Sequence, residues 1–220
     1  REVHPLPCPS PASGRGEPIC NINKSESSYN GPMELIDSHC HIDVHEFDPD
    51  REHVITRSRL AGVTRLIVPA VDAAGWDNLL TLCNTVHGLY PTLGLHPIYL
   101  DNHRDEHIDE LKTRIANKRP IAIGEIGLDY FISELDRTRQ QSIFETQLRI
   151  ARDADLPVIL HTRKSHDQVL ATLRRIRVRG GIAHAFNGSP QQAQQFIDLG
   201  FLLGFGGTIT VCVFLDFASG

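Results

Sequence analysis

The sequence predicts an α/β chain folded as a (β/α)8 barrel, and three observations carry that expectation. From Leu35 onward, short apolar, β-branched runs alternate with amphipathic stretches, the pattern of βαβ units on a parallel sheet. Seven such runs begin between Leu35 and Phe201, about 28 residues apart, close to the roughly 31 per unit of a (β/α)8 barrel. Histidines and carboxylates fall at the carboxyl ends of several different runs, which is where a barrel builds its active site. The competing arrangement, a doubly wound open sheet, would place a Gly-rich phosphate fingerprint after the first strand, and none is present. One count runs against a complete barrel: the stretch from Met33 to Gly220 is too short for eight units of that length.

The first strand is short, Leu35 and Ile36 within ELIDSHCH. A helix follows over residues 50–61, with Asp50 as a candidate N-cap and Gly62 just past its end. RLIVPA at 65–70 is the second strand, and residues 76–86, carrying NLLTLCNTV, the second helix. YPTLGL at 90–95 is the third strand; over residues 106–116, Ile108, Leu111 and Ile115 then recur at helical spacing. IAIGEI at 121–126 is the fourth strand, followed by a helix over 138–154 with Ile143, Leu148 and Ile150 on its apolar side. LPVILH at 156–161 leads into a helix over 165–176 containing VLATLRRI. GIAHAF at 181–186 is the sixth strand, the helix over 190–199 opens on Pro190, which suits a first turn, and FLLGF at 201–205 is the seventh strand.

The first 32 residues are different in kind: REVHPLPCPSPASGRGEP is rich in Pro, Gly and Ser, and NINKSESSYNGP after it is polar. Neither stretch has periodicity or enough apolar surface to offset ordering. Residues 1–32 therefore read as a disordered or spurious extension, with Met33, the only methionine, as the natural start. The segment lacks the apolar h-region of a signal peptide, and no stretch approaches the ~18 apolar residues of a membrane span. The net charge of −5 excludes a protein held to DNA mainly by a broad basic face. It leaves room for an enzyme that meets nucleic acid locally through a metal. Five scattered cysteines without a CxxC pair indicate neither a disulfide framework nor a Cys-rich zinc site. Twelve histidines are the compositional outlier, and imidazole is both a metal ligand and an acid/base group.

His39-Cys40-His41 is the strongest local signal. Alternate residues of a strand point to one side, so both imidazoles can grip one divalent ion, with Cys40 facing away; two histidines on an ordinary loop would look the same. Glu125 sits in the apolar run IAIGEI, where a carboxylate needs a metal or a basic partner. Asp129, four residues on, suits a carboxylate that orients a ligand histidine. His161 and His184 end the fifth strand and lie in the sixth run; singly each fits a hydrogen-bonded core histidine, jointly they fit one pocket. His96 precedes Pro97 and is held extended, placed to contact substrate or act as an acid. Arg163 and Lys164 can meet phosphate or stay solvated. Asn187-Gly188-Ser189 before Pro190 offers backbone N–H groups to an anion, or an ordinary Ser189 cap. His4, His45, His53, His87, His103, His107 and His166 receive no role.

In this order and spacing, IDSHCHID, GLHP, GEIGLDY, LPVILHTR and HAFNGS resemble the TatD family of metal-dependent hydrolases and deoxyribonucleases, from about Met33 to Thr210. The resemblance implies a barrel of the metal-dependent hydrolase type with a one- or two-metal site, expected here to hold two divalent metal ions (Mg, Mn or Zn), and hydrolysis of DNA phosphodiester bonds, in several members as a 3′→5′ exonuclease. It implies His39 and His41 as metal ligands from the first strand, Glu125 as a catalytic carboxylate bridging the metals, and His161 and His184 as ligands from the fifth and sixth strands. His96 takes a catalytic or substrate-binding role, and Arg163, Asn187 and Ser189 complete the substrate-binding set. A cytoplasmic monomer that acts on nucleic acid, without membrane association, is expected. Family members continue after GGTIT to an eighth strand with an acidic motif resembling ETDAP, whose Asp is a ligand and the base for the attacking water. Here VCVFLDFASG follows, so the expectation is a barrel domain over 33–210 truncated before its eighth strand and a non-family tail over 211–220, with no role for Asp216. Hydrolysis of another ester or amide bond, and an inactive truncated fragment, are the alternatives.

Overall fold

A computed structural model describes residues 34–206. The expected extension at 1–32, Met33, the tail at 211–220, and with them His4, Cys8, Cys20, Cys212 and Asp216, lie outside the described residues.

Seven strands pair in chain order: β1 (Leu35–Asp37), β2 (Val63–Pro69), β3 (Leu89–Leu93), β4 (Ala122–Asp129), β5 (Val158–Arg163), β6 (Gly181–Ala183) and β7 (Phe201–Leu203). Every neighbouring pair is parallel. Six helices cross over between them: α1 (Arg51–Leu60), α2 (Trp76–Thr85), α3 (Glu106–Lys118), α4 (Arg137–Asp153), α5 (His166–Arg175) and α6 (Pro190–Asp198). Each predicted strand and helix is present, with ends shifted by a few residues. No helix among the described residues is long and apolar enough to cross a membrane.

The sheet curls. In a flat sheet the ends of β1 and β6, five strand intervals apart, would lie about 24 Å from each other at ~4.8 Å per interval. Instead His39, just past β1, stacks on His184, just past β6, with ring centroids 3.4 Å apart. That curl is the geometry of part of a barrel, and it gathers the carboxyl ends of the strands around one point.

Burial explains why the elements sit where they do. All eight residues of β4 are buried, so its apolar run is a central strand covered on both faces. Leu93, Ile123, Ile126, Leu128, Val158 and Leu160 from the strands meet Trp76, Leu79, Leu111, Phe144 and Leu148 from the helices, none more than 1% exposed. Each contributes about 1.5–3 kcal/mol by removal from water. α4 begins at Asp136, whose Oδ1 accepts from the Thr138 and Arg139 amides at 2.8 and 3.1 Å. α6 begins with a capping box between Ser189 and Gln192, with Pro190 in its first turn.

Close approach of β4 and β5 depends on a glycine. Gly127 has φ 151°, and a Cβ there would lie 1.9 Å from the His161 carbonyl oxygen. Gly127 pairs with His161 in the register, so the absence of a side chain lets β5 carry His161 against β4.

Candidate metal centre

Glu125 is the fourth residue of β4 and 2% exposed. Four imidazoles surround it. Its Oε2 lies 3.0 Å from His39 Nε2, 3.6 Å from His41 Nε2 and 3.4 Å from His96 Nε2, and its Oε1 lies 3.0 Å from His161 Nδ1. His184 joins through its stack on His39. The residues line a cavity of about 420 Å³ at the carboxyl ends of the strands, with Arg163 and Asn187 at its wall. Two groups in it can each hold a metal ion, His39–Glu125–His184 and His96–Glu125–His161, and both include Glu125.

Local geometry differs from the expectation in one respect. His39 and His41 do not lie on β1, which ends at Asp37, so strand alternation does not bring them together. The chain stays beside β2 after the strand ends, through a bond from the Cys40 amide to the Ile67 carbonyl at 3.0 Å. Asp37 Oδ1 also accepts from the His39 amide at 3.0 Å. The two Nε2 atoms then meet at 3.0 Å, while Cys40 packs against the apolar core. Similarly, Glu125 and His161 lie inside their strands, with β4 running on to Asp129 and β5 to Arg163.

Hydrogen-bond partners assign the imidazole protons. A carbonyl can only accept, so the 3.1 Å contact of His41 Nδ1 with the Pro69 carbonyl places a proton on Nδ1 and turns Nε2 toward Glu125. Asp129 Oδ2 accepts from His161 Nε2 at 2.9 Å, which turns Nδ1 toward Glu125. That is the carboxylate–histidine arrangement that fixes a ligand ring. His96 is the reverse. Its Nδ1 accepts from the Ile98 amide at 3.1 Å, so neutral His96 carries its proton on Nε2 and presents a donor to the cavity. In that tautomer His96 offers no Nε2 lone pair, so its group presents a lone pair only from Glu125 and His161.

The electrostatics favour positive charge at the centre. Burial opposes ionisation of Glu125, but hydrogen bonds from His161, His39, His41 and His96 hold its carboxyl well below the usual range. Burial likewise opposes a proton on His161, and the flanking Asp129 and Glu125 outweigh it, raising the imidazole to about 9. His184 is pushed down to about 4 by burial and by His39 beside it. Two imidazole nitrogens 3.0 Å apart with a carboxylate oxygen beside both converge on one point, and once the imidazoles give up any protons there a divalent cation would satisfy them together. The residues present therefore fit a metal.

The other expected residues divide. Arg163 lines the cavity, its guanidinium 3.7 Å above the Phe131 ring. Lys164 reaches the same ring at 5.1 Å but is not part of the cavity wall. Asn187 is in the wall, whereas the Ser189 hydroxyl accepts from the Gln192 amide and serves as the cap of α6. His166 packs on Phe186 and Phe196 away from the cavity. His103, given no role from sequence, donates from Nε2 to the His96 carbonyl at 2.8 Å and supports that segment. Gln140 and Gln147 were not singled out, and both are buried on α4. Their signal was two polar residues at helical spacing with the apolar Phe144 and Leu148.

The description "TatD related DNase" matches residues 36–212 of this chain. It is 43% identical over 179 residues to the uncharacterized metal-dependent hydrolase YjjV of Escherichia coli K12, covering 80% of this chain and 69% of that protein. It is 31% identical over 166 residues to the 3'-5' ssDNA/RNA exonuclease TatD of Cronobacter sakazakii, covering 74% of this chain and 63% of that one. The crystal structure of YjjV superposes with a TM-score of 0.77 at 42% identity, over 80% of this chain and 69% of that chain. A TatD family hydrolase from Entamoeba histolytica shares the fold, with a TM-score of 0.71 at 22% identity over 78% of this chain and 64% of that chain. This chain belongs to the TatD-related DNase family of metal-dependent hydrolases.

Proposed function

We propose that the protein hydrolyses phosphodiester bonds of DNA with two divalent cations, Mg, Mn or Zn, held around Glu125. The observation that carries this reading is a carboxylate 2% exposed with four imidazole nitrogens within 3.6 Å of its oxygens. A name given to some relatives, deoxyribonuclease or exonuclease, supports the choice of substrate. His39, His41, His161 and His184 would supply the histidine nitrogens, and Glu125, common to both groups, would supply the carboxylate. When bound, the cations polarise the phosphoryl oxygen and lower the pKa of an attacking water.

The chain's own residues position the substrate. His96 offers Nε2–H as a hydrogen bond to a phosphoryl oxygen, and its neutral state suits it to stabilise charge building on that oxygen without giving up the proton. Arg163, held flat by Phe131, meets a phosphate with its guanidinium fork. Asn187 supplies an amide at the cavity wall. Asp129 holds the His161 ring in its ligating orientation. Neutralising phosphate locally explains how a chain of net charge −5 handles a polyanion.

Incubation with end-labelled single-stranded DNA, RNA, a carboxylic ester and an amide, each with Mg²⁺, Mn²⁺ or Zn²⁺, tests this. Cation-dependent DNA cleavage that chelation abolishes and Glu125→Gln lowers by at least about a hundredfold is expected. Turnover of the ester or amide alone would overturn the choice of substrate, and turnover of nothing would overturn the reaction.

A further inference from the structure

We infer that Gln140 and Gln147, two buried glutamines on one face of α4, are positioning residues that set two different parts of the centre. The inference rests on the reading of the site given above. The residues are 1% and 0% exposed and seven positions apart, two helical turns. They continue the buried stripe of Phe144, Leu148 and Ala151, where an apolar side chain would pack without desolvating an amide.

Each carboxamide makes the same two-point contact. The Leu95 amide donates to Gln147 Oε1 at 2.7 Å, and Gln147 Nε2 donates to the Leu95 carbonyl at 3.1 Å. The Asp129 amide donates to Gln140 Oε1 at 2.8 Å, and Gln140 Nε2 donates to the Asp129 carbonyl at 3.0 Å. A carboxamide has one acceptor oxygen and a donor NH₂ group, so each glutamine stands in for a missing strand neighbour.

The two clamped residues are not equivalent. Leu95 lies past the end of β3, whose pairing with β4 covers Thr92 and Leu93. Leu95 is 1% exposed, and the next residue is His96. Gln147 thus sets the position of the donor imidazole. Asp129 ends β4 and orients His161 through its Oδ2, so Gln140 sets the position of a metal ligand. The other end of the His96 segment is also tied to α4, through a hydrogen bond from Arg139 to the His103 carbonyl. α4 is therefore a brace with two separable outputs.

The test replaces each glutamine by methionine, which keeps the chain length and loses both hydrogen bonds. Mn²⁺ affinity is measured by calorimetry on the full chain, kcat and KM on DNA, and stability by thermal melt. Gln147→Met is expected to lower kcat about tenfold or more with Mn²⁺ affinity within about twofold of the parent. Gln140→Met is expected to weaken Mn²⁺ binding about tenfold or more. Ile55→Val, which removes one buried methylene from α1, lowers the melting temperature and leaves both quantities unchanged. Gln140→Asn and Gln147→Asn, which keep the amide but shorten its reach, replace a methionine variant that does not fold. Equal effects of the two glutamines on both quantities, or a loss of stability alone, would overturn the assignment, as would failure of both kinds of variant to fold. If the parent binds Mn²⁺ but cleaves no DNA, the substrate reading fails while the calorimetric arm still decides the role of Gln140.

Discussion

Asp129 shows how one side chain can hold two parts of the cavity together. Its Oδ2 fixes the His161 ring, and its Oδ1 accepts from the Phe131 and Ile132 amides at 2.9 and 3.1 Å. The second set of bonds holds the turn on which Phe131 carries Arg163. Asp129→Asn offers Nδ2 as a donor where His161 needs an acceptor, so Mn²⁺ affinity is expected to fall about 10- to 100-fold, measured by calorimetry. Phe131→Ala acts on the other branch alone. It frees the Arg163 guanidinium and is expected to raise KM for DNA several-fold, roughly the ~1 kcal/mol of a cation–π contact, with kcat unchanged. Steady-state kinetics separates the two, since a fall in kcat instead would place Phe131 at the chemistry.

At the scale of elements, β4 and α4 carry most of the site. Gly127→Ala is expected to destabilise the protein by about 3 kcal/mol or more, because the added Cβ meets the His161 carbonyl and no side-chain rotation relieves it. A denaturant melt checks this, and a change under about 1 kcal/mol would mean β4 and β5 can part locally. α4 is joined to α5 by Glu145, which bridges Arg149 on its own helix and Arg175 on the next. The bond from Arg175 holds the Glu145 carboxyl down to about 2. A depressed carboxyl contributes stability above its ordinary pKa of 4.5 that is lost as pH falls toward 2. Glu145→Gln is therefore expected to cost about 1 kcal/mol at neutral pH, a difference from the parent that disappears near pH 2. A penalty constant with pH would show that packing, not charge, makes the link.

Much of this was legible in the sequence because local signals agreed with the fold. Asp50, Pro190 and Gly62 mark helix ends where the structure has them, and short apolar runs mark the seven strands of the described residues. The imidazole and carboxylate positions were legible because charge inside an apolar run is costly without a partner. Less legible was the reason His39 and His41 converge, since the strand ends before them and one backbone bond to β2 continues the path. The proton on His96 Nε2 depends on the Ile98 amide, a turn contact with no signature in spacing. Gln140 and Gln147 were illegible because polarity in a helical stripe ordinarily marks a solvent face, and only their pairing with Leu95 and Asp129 shows otherwise.

Over the whole molecule, the curl of the sheet is what turns residues distant in sequence into one centre: His39 and His184 stack although 145 positions separate them. A cation bound there links β1, β4, β5 and β6, so it stabilises the folded chain by mass action. At a hundredfold excess over Kd the gain is about 2.7 kcal/mol, read as a rise in melting temperature that a chelator reverses. Anomalous diffraction from crystals grown with Mn²⁺ reads divalent-metal binding at Glu125 and its surrounding imidazoles. Peaks are expected at coordination distance, roughly 2.0–2.3 Å, from the Glu125 carboxylate and from nitrogens of His39, His41, His161 and His184. Peaks only elsewhere on the protein, or a cluster that binds no manganese at saturating concentration, would contradict it.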